Sequence, residues 1–271
     1  GEAWLAAQTR DVRPTTDDRP FFFVLDKWGQ YAPNLETLLF TLALLGSATL
    51  AFLIVPPFVL NRRGLTLPGA PALALYFVVL GLGYIAVEVN LIQKFSLFLG
   101  HPSYSLAAAL CTLLIASGVG SLTSERWRLA ANRKIAAASS AVALCALLGA
   151  IGLTPLFDAL IELPLPARLL IAVGLAAVPG YWMGFPFPVG LAAVRESAPA
   201  FVPWAWALNG SGTVIGTIAA LLMAMELGFN AVFVAAAGLY IAAGIAFAVY
   251  WRRRALGPAA PTEQAPLRIA S

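Results

Sequence analysis

Glu88 is the residue with the most unusual chemical setting in this sequence, because its carboxyl group lies within a long apolar stretch, residues 71–98. A charged side chain at membrane depth costs at least ~2.5 kcal/mol to insert and has to face a partner or a wet cavity. On a functional interpretation, Glu88 binds a proton or a cation. On a structural interpretation, it is a hydrogen-bonded carboxyl that ties helices together, and the sequence leaves both open.

Four further polar residues are candidate ligand-binding residues: Asn90, Lys94, His101 and Asn209. Asn90 and Lys94 are four residues apart and should share one face of a helix, whereas Lys94 does not stack on Glu88. His101 is the only histidine and lies in a Gly-His-Pro turn, where a plain polar turn residue is the alternative. Asn209 lies within a later apolar stretch and could face a cavity.

The sequence predicts no metal centre and no cofactor. A single histidine excludes bis-histidine haem ligation within this chain, and no ligand types recur at a metal-binding spacing. The two cysteines, Cys111 and Cys145, lie in apolar stretches and are expected to be small buried residues. No residue is therefore assigned a catalytic role.

A cluster of helix-breaking residues interrupts the apolar stretch 167–194. Its members are Pro179, Gly180, Gly184, Pro186 and Pro188. Each interior proline removes a backbone hydrogen bond and costs ~3 kcal/mol, so a break in the helix is predicted here. Broken helices are a recurring way to build binding sites in transporters, and a simple kink or a break at the membrane surface is the alternative.

Two glycines in the stretch after Asn209 predict a helix contact. Gly212 and Gly216 form a small-xxx-small face that lets helix backbones approach closely. A nucleotide-binding loop is the alternative for these glycines, but the spacing does not fit the dinucleotide fingerprint and no strand precedes them.

Composition places these residues in a membrane. The chain has 271 residues, of which 60% are hydrophobic and 11% charged, against about 25% charged in a soluble domain. Apolar runs that can cross a ~30 Å hydrocarbon core have to be helical, since lipid offers the backbone no hydrogen bonds. We expect an all-α integral membrane protein with about seven transmembrane helices. The predicted spans are 35–60, 71–98, 103–122, 135–153, 167–194, 204–227 and 229–251.

Three segments follow from this pattern. Residues 1–34 are polar with aromatic anchors and are expected to lie at the interface, 35–254 form the transmembrane domain, and 255–271 are expected to be a disordered tail. The chain starts with Gly1 and its first methionine is Met183, so it is expected to be part of a longer protein.

The basic residues predict an orientation. The net charge of +4 arises from clusters beside apolar runs, which fits the lipid bilayer as partner and does not suggest nucleic acid. With seven spans, one side carries only Lys94 and Arg168, so the positive-inside rule predicts a cytoplasmic C-terminus and an outside N-terminus. The basic residues of the other side are Arg62, Arg63, Arg126, Arg128, Arg133, Lys134, Arg195 and Arg252–Arg254.

Four motifs together resemble spermidine synthase-like proteins fused to multi-helix membrane regions. They are the Thr-Asp-Asp-Arg-Pro-Phe-Phe run at 16–22, the run at 88–102, the Gly-Phe-Pro-Phe-Pro-Val-Gly run at 184–190 and the Pro-Trp-Ala-Trp-Ala-Leu-Asn-Gly run at 203–210. The resemblance extends to about Trp251 and implies a bacterial inner membrane. It also implies a neighbouring domain that binds an S-adenosylmethionine-type ligand for aminopropyl or methyl transfer. The family's catalytic aspartates have no counterparts here, so the resemblance assigns no catalytic residue.

The sequence leaves three competing hypotheses for the function. The leading hypothesis is a non-catalytic membrane domain of this family that anchors a neighbouring domain and binds a small cationic or amphiphilic ligand. The first alternative is a structural accessory subunit of a larger respiratory or photosynthetic membrane complex, with other membrane subunits as partners. An intramembrane enzyme ranks last, because no Ser/His/Asp set, metal-ligand pair or aspartate dyad is present in the sequence.

Overall fold

The structure, a computed structural model, describes the backbone of residues 33–256 and the side chains of residues 40–254. This part of the chain is helical and contains no strand. The expected all-α fold is confirmed for the described residues. Six of the helical stretches are long and apolar enough to cross a membrane. The predictions for residues 1–32 and 257–271 lie outside the described residues. The helices are α1 (Pro33–Thr49), a π-helical stretch (Leu50–Ile54), α2 (Val55–Leu60), α3 (Ala70–Leu99), α4 (Pro102–Arg126), α5 (Ala131–Leu160), α6 (Leu165–Met183), α7 (Pro186–Ser197) and α8 (Val202–Leu256).

Turn residues define both ends of α3. Gly69 precedes the helix and Gly100 follows it, and both have positive φ angles, 84° and 78°, a conformation that glycine adopts without a steric penalty. The next helix, α4, begins at Pro102 and not at Ser103, because His101 serves as the N-cap. A proline at the first helical position is favourable, since its missing N–H would have had no partner there.

The central element is α3, which has the largest buried share of the six apolar helices. Its closest neighbour is α8, and glycines on both helices make the approach possible. A Cβ atom added at Gly81 would overlap the Asn209 carbonyl, and one added at Gly212 would lie 2.5 Å from the Val78 carbonyl oxygen. A Cβ atom added at Gly216 would lie 2.6 Å from the Cγ2 atom of Ile85. Both glycines that the sequence placed in a packing face therefore lie against α3.

A second glycine contact joins α4 to α6 and the turn after it. Cβ atoms added at Gly120 and Gly184 would overlap backbone carbonyls of Tyr181 and Ser117, respectively. One added at Gly180 would lie 3.1 Å from the Cβ atom of Ala116. Gly180 and Gly184, which the sequence assigned to a helix break, thus lie where two helices pack most closely.

The proline-rich stretch forms a short turn rather than an unwound segment. Helix α6 contains Pro179 and ends at Met183, and α7 begins at Pro186 and includes Pro188. Gly184 and Phe185 between them keep right-handed helical angles, with φ and ψ of −70° and −14° and of −83° and −50°. Residues Leu165–Ser197 therefore form one long apolar element with a local interruption.

The last element, α8, is also interrupted. It has 55 residues, and a straight helix of that length would extend about 80 Å, far more than a ~30 Å hydrocarbon core. Gly228 has non-helical angles, with φ 84° and ψ 168°. The first half, 202–227, and the second half, 229–256, meet at this residue.

Contacts at the two ends of the bundle show how α8 runs. The Trp204 indole donates a hydrogen bond to the Asn61 carbonyl (2.8 Å), and the hydroxyls of Tyr250 and Ser197 are 2.5 Å apart. The start and the end of α8 therefore lie at the end of the bundle that holds the loop after α2. Phe229, near its middle, accepts a hydrogen bond from Asn90, which is nearer to the Leu99 end of α3 than to the Ala70 end. The chain thus turns back at Gly228.

The sequence predicted about seven transmembrane helices, and the described residues contain six apolar helical stretches. The difference arises at Gly228, where the spans predicted at 204–227 and 229–251 belong to one helical element. The second predicted span, 71–98, is a continuous helix from Ala70 to Leu99.

Glycine substitutions should distinguish glycines at helix contacts from glycines at exposed positions by their effect on stability. Gly81→Ala should lower the free energy of unfolding by ~1–3 kcal/mol, because its methyl group would overlap the Asn209 carbonyl. Gly118→Ala is the matched control, since a Cβ atom there has no neighbour within 4 Å, and alanine favours a helix by up to ~1 kcal/mol over glycine. Thermal unfolding midpoints in mild detergent measure both, and equal shifts would contradict the packing.

Candidate functional site

Glu88 lies close to the middle of α3 and is half-buried. Tyr84 lies one helical turn away on the neighbouring face and interacts electrostatically with the carboxyl group. The Tyr84 hydroxyl lies near the Ser117 side chain of α4. Among the described residues, Glu88 itself makes no hydrogen bond or ion pair. The carboxyl group therefore keeps its capacity to bind a cation or a hydrogen-bond donor.

The direction of Glu88 follows from the helix period of 3.6 residues per turn. Around the axis of α3 it projects between Tyr84, which reaches α4, and Ile85, which contacts Gly216 of α8. The side chain thus points into the gap between α4 and the first half of α8. Because Glu88 remains partly accessible, this gap is open to the surroundings of the bundle.

A second polar group lies where α8 turns back. Asn90 and Lys94 are each only 1% exposed. The Asn90 side-chain amide donates a hydrogen bond to the Phe229 carbonyl (2.9 Å). The Lys94 ammonium donates one to the Thr154 hydroxyl of α5 (2.8 Å) and lies 5.6 Å from the centre of the Phe229 ring. The two residues that the sequence placed on one helix face therefore converge on the same turn.

Sequence reasoning missed two members of this group. Thr154 of α5 is the acceptor for Lys94, and the side-chain oxygen of Asn230 is buried beside Phe229 without a hydrogen-bond partner. The side-chain oxygen of Asn90 is buried in the same way. A signal was present in the run Gly228-Phe229-Asn230, since a glycine with a polar residue close by, between two apolar stretches, indicates a turn. The partner Thr154 carried no local signal.

Asn209 and His101 lie apart from both groups. The Asn209 side chain donates a hydrogen bond to the Phe77 carbonyl of α3 (3.2 Å), about 16 Å from Glu88 along the helix axis at 1.5 Å per residue. His101 is exposed, and its Nδ1 atom accepts a hydrogen bond from the Ser103 backbone N–H (3.3 Å). The structure thus uses Asn209 to fasten two helices and His101 to cap one, and it does not bring either to Glu88.

An apolar cleft of about 460 Å³ lies on a different face of α3. Val87 and Leu91 of α3 line it, together with residues of α5, α6 and the second half of α8. The cleft is open to the outside of the bundle at exposed side chains such as Leu148 and Val178. Glu88 is about a quarter turn from Val87 and does not line it.

Comparisons with known proteins find no match. No family model matches the chain, and no curated protein or solved structure is significantly similar to it. Within residues 33–256 no three histidine, cysteine, aspartate or glutamate side chains come together in a way that could hold a metal ion. The spermidine synthase-like resemblance therefore stays a prediction that rests on its motifs.

The hydrogen bond from Asn90 should contribute to the stability of the turn at Gly228. Asn90→Leu keeps the size of the side chain but removes this buried bond, and it should lower the free energy of unfolding by ~1–3 kcal/mol. Gln93→Leu is the control, because Gln93 is a polar residue of the same helix that is only half-buried, and changes away from buried bonds usually stay within ~0.5 kcal/mol. Thermal unfolding in detergent compares the two variants. If Asn90→Leu loses no more stability than Gln93→Leu, the hydrogen bond does not stabilise the turn.

Proposed function

We propose that this chain is a non-catalytic integral membrane domain that binds a small cationic or amphiphilic ligand at Glu88. The observation that carries the proposal is the position of Glu88, half-buried near the middle of the central helix α3 and without a hydrogen-bond partner among the described residues. A carboxyl group held at this depth is costly, and such residues commonly mark the path or binding site of a substrate or an ion.

The surroundings of Glu88 favour an organic cation with an apolar part. A carboxylate attracts the positive group, and Tyr84, one helical turn away, brings an aromatic ring close to the same carboxyl group. Aromatic rings also attract cations. The gap between α4 and α8 is open to the surroundings of the bundle, so an amphiphile could enter from the bilayer without crossing the protein. An alkyl chain that carries one positively charged amine has both properties, the charge and the apolar part.

The domain also serves, in this proposal, to anchor a neighbouring domain of a spermidine synthase-like protein in a bacterial inner membrane. The support is the four sequence motifs together with the six apolar helices. The intact mass of the native polypeptide tests this part. A mass that leaves room for a further domain of ~100 residues or more supports it, and a chain that begins near Gly1 refutes it.

We further propose that the chain crosses the membrane seven times, because α8 turns back at Gly228 and each of its halves can span the hydrocarbon core. Arg62 and Arg195 lie near the end of the bundle to which Trp204 and Tyr250 belong. Basic residues mark the cytoplasmic side, so this end and the C-terminus face the cytoplasm and the N-terminus lies outside.

A structural accessory subunit of a larger complex is the second candidate. Almost none of the first apolar stretch, Phe40–Leu60, is buried, and large side chains such as Phe52 and Leu60 are exposed along it. Such a surface can face lipid or another membrane subunit. Purification in a mild detergent distinguishes the two, because an accessory subunit should remain with its partners and a self-sufficient domain should not.

Chemical labelling tests the role of Glu88. Dicyclohexylcarbodiimide, an apolar reagent for carboxyl groups, should modify Glu88 in proteoliposomes, because the residue is partly accessible within the membrane-spanning region. Glu88→Gln should abolish the modification, whereas Glu226→Gln should retain it, since Glu226 is exposed near the turn of α8. Peptide mass spectrometry locates the modified residue.

Protection by a ligand distinguishes a binding site from a merely reactive carboxyl group. Dodecyltrimethylammonium, a cation that cannot couple to an activated carboxyl group, should slow the labelling of Glu88 because its charged group would occupy the carboxylate. The uncharged dodecanol should have a much weaker effect. Labelling of Glu88 that dodecyltrimethylammonium and dodecanol slow equally would contradict a cation site. Absence of any labelling would show that the carboxyl group does not face the gap.

A further inference from the structure

The cleft between α3, α5 and α6 has a shape suited to a hydrocarbon chain. Its volume of about 460 Å³ is within the usual ~300–1,000 Å³ of a small-molecule site. It extends along α5 from Val142 to Leu156, about 21 Å at 1.5 Å per residue. It is therefore long and narrow, and its lining is almost entirely apolar.

Three glycines help to open the cleft. Gly149, Gly152 and Gly174 belong to its lining, and a Cβ atom added at Gly152 or Gly174 would have no neighbour within 4 Å. The space in front of these residues is consequently not used for helix packing, in contrast to Gly81 or Gly184, where a Cβ atom would overlap a neighbouring carbonyl. In a membrane this space has to be filled by hydrocarbon, since an apolar cavity does not retain water.

Two cations continue the cleft-lining faces of their helices. Lys94 follows Val87 and Leu91 on the same face of α3, and Arg168 precedes Leu175 by seven residues, two turns, on α6. Arg168 donates from Nη1 to the Phe98 carbonyl (2.7 Å), which ties α6 to the end of α3. Its Nε atom is buried and has no hydrogen-bond partner.

The cleft and its charges share one half of the bundle. Phe98 stacks on Phe157 of α5, with ring centres 4.2 Å apart, and so lies at the end of α5 that follows Leu156. Arg168 bonds to this same Phe98. The Arg168 guanidinium thus lies beyond one end of the cleft, and the lining along the cleft itself is apolar. Asp158 and Glu162, near the same end of the bundle, are exposed. A buried chain with an anionic headgroup beside Arg168 suits this arrangement.

We propose that this cleft binds one acyl chain of an anionic phospholipid, with the headgroup phosphate beside Arg168. The site is independent of the proposed cation site, because Glu88 projects toward α4 and α8 and does not line the cleft. The apolar lining takes the chain, and the half-buried Arg168 guanidinium, which is fixed by its Nη1 bond to the Phe98 carbonyl, supplies the positive charge for an anionic oxygen.

Photocrosslinking with lipids of defined headgroup tests the site. The complete chain is reconstituted with phosphatidylglycerol that carries a diazirine on one acyl chain, illuminated, and mapped by peptide mass spectrometry. The crosslinks should concentrate in 142–156 and 174–179. Gly174→Leu should lose most of them, because leucine would fill the cleft, and Gly118→Leu on the exposed face of α4 should retain them.

The headgroup is tested with the matching phosphatidylcholine probe and two arginine variants. Arg168→Gln should weaken phosphatidylglycerol crosslinking about tenfold, to the level of phosphatidylcholine, because it removes a charged donor. Arg133→Gln, an exposed position outside the cleft and away from Arg168, should leave it unchanged. If Gly174→Leu is not monodisperse, Gly152→Leu replaces it. Crosslinks spread evenly over α4 and the cleft, or equal for both lipids, would overturn the proposal.

Discussion

The close approach of α3 to both halves of α8 is the constraint on which the rest of the structure depends. In lipid the hydrophobic effect does not hold helices together, so contact between backbones and buried hydrogen bonds have to do so. Gly81, Gly212 and Gly216 provide the contact, and the side chains of Asn209 and Asn90 bond to carbonyls of the facing helix. A side chain at any of these glycines would separate the helices and misplace every polar group on α3.

Because α3 is surrounded, its faces meet different neighbours and acquire different chemistry. Glu88 projects into the gap between α4 and the first half of α8. Asn90 and Lys94 hold the turn of α8. Val87 and Leu91 line the apolar cleft. Within three turns, one helix thus carries a partly accessible carboxyl group, a buried hydrogen-bonded polar pair and one wall of an apolar cleft.

The apolar stretches were predictable because their length has to match the hydrocarbon core, and the shared face of Asn90 and Lys94 follows from the helix period alone. The residues to which these side chains bond were not predictable from the sequence. Thr154 is sixty residues from Lys94, and the cap formed by His101 depends on where α4 begins. Gly180 and Gly184 illustrate the limit most clearly, since glycine beside proline indicates a break locally, and only the position of α4 shows a packing contact.

The central claim is that α8 turns back at Gly228, because Asn90, Lys94 and the closure of the bundle all depend on it. Accessibility of single cysteines tests this most directly, in a chain whose Cys111 and Cys145 are replaced by alanine. A membrane-impermeant thiol reagent should modify Glu226→Cys from the outside of intact cells and Arg253→Cys only after the membrane is opened. Modification of both from the same side would contradict the account.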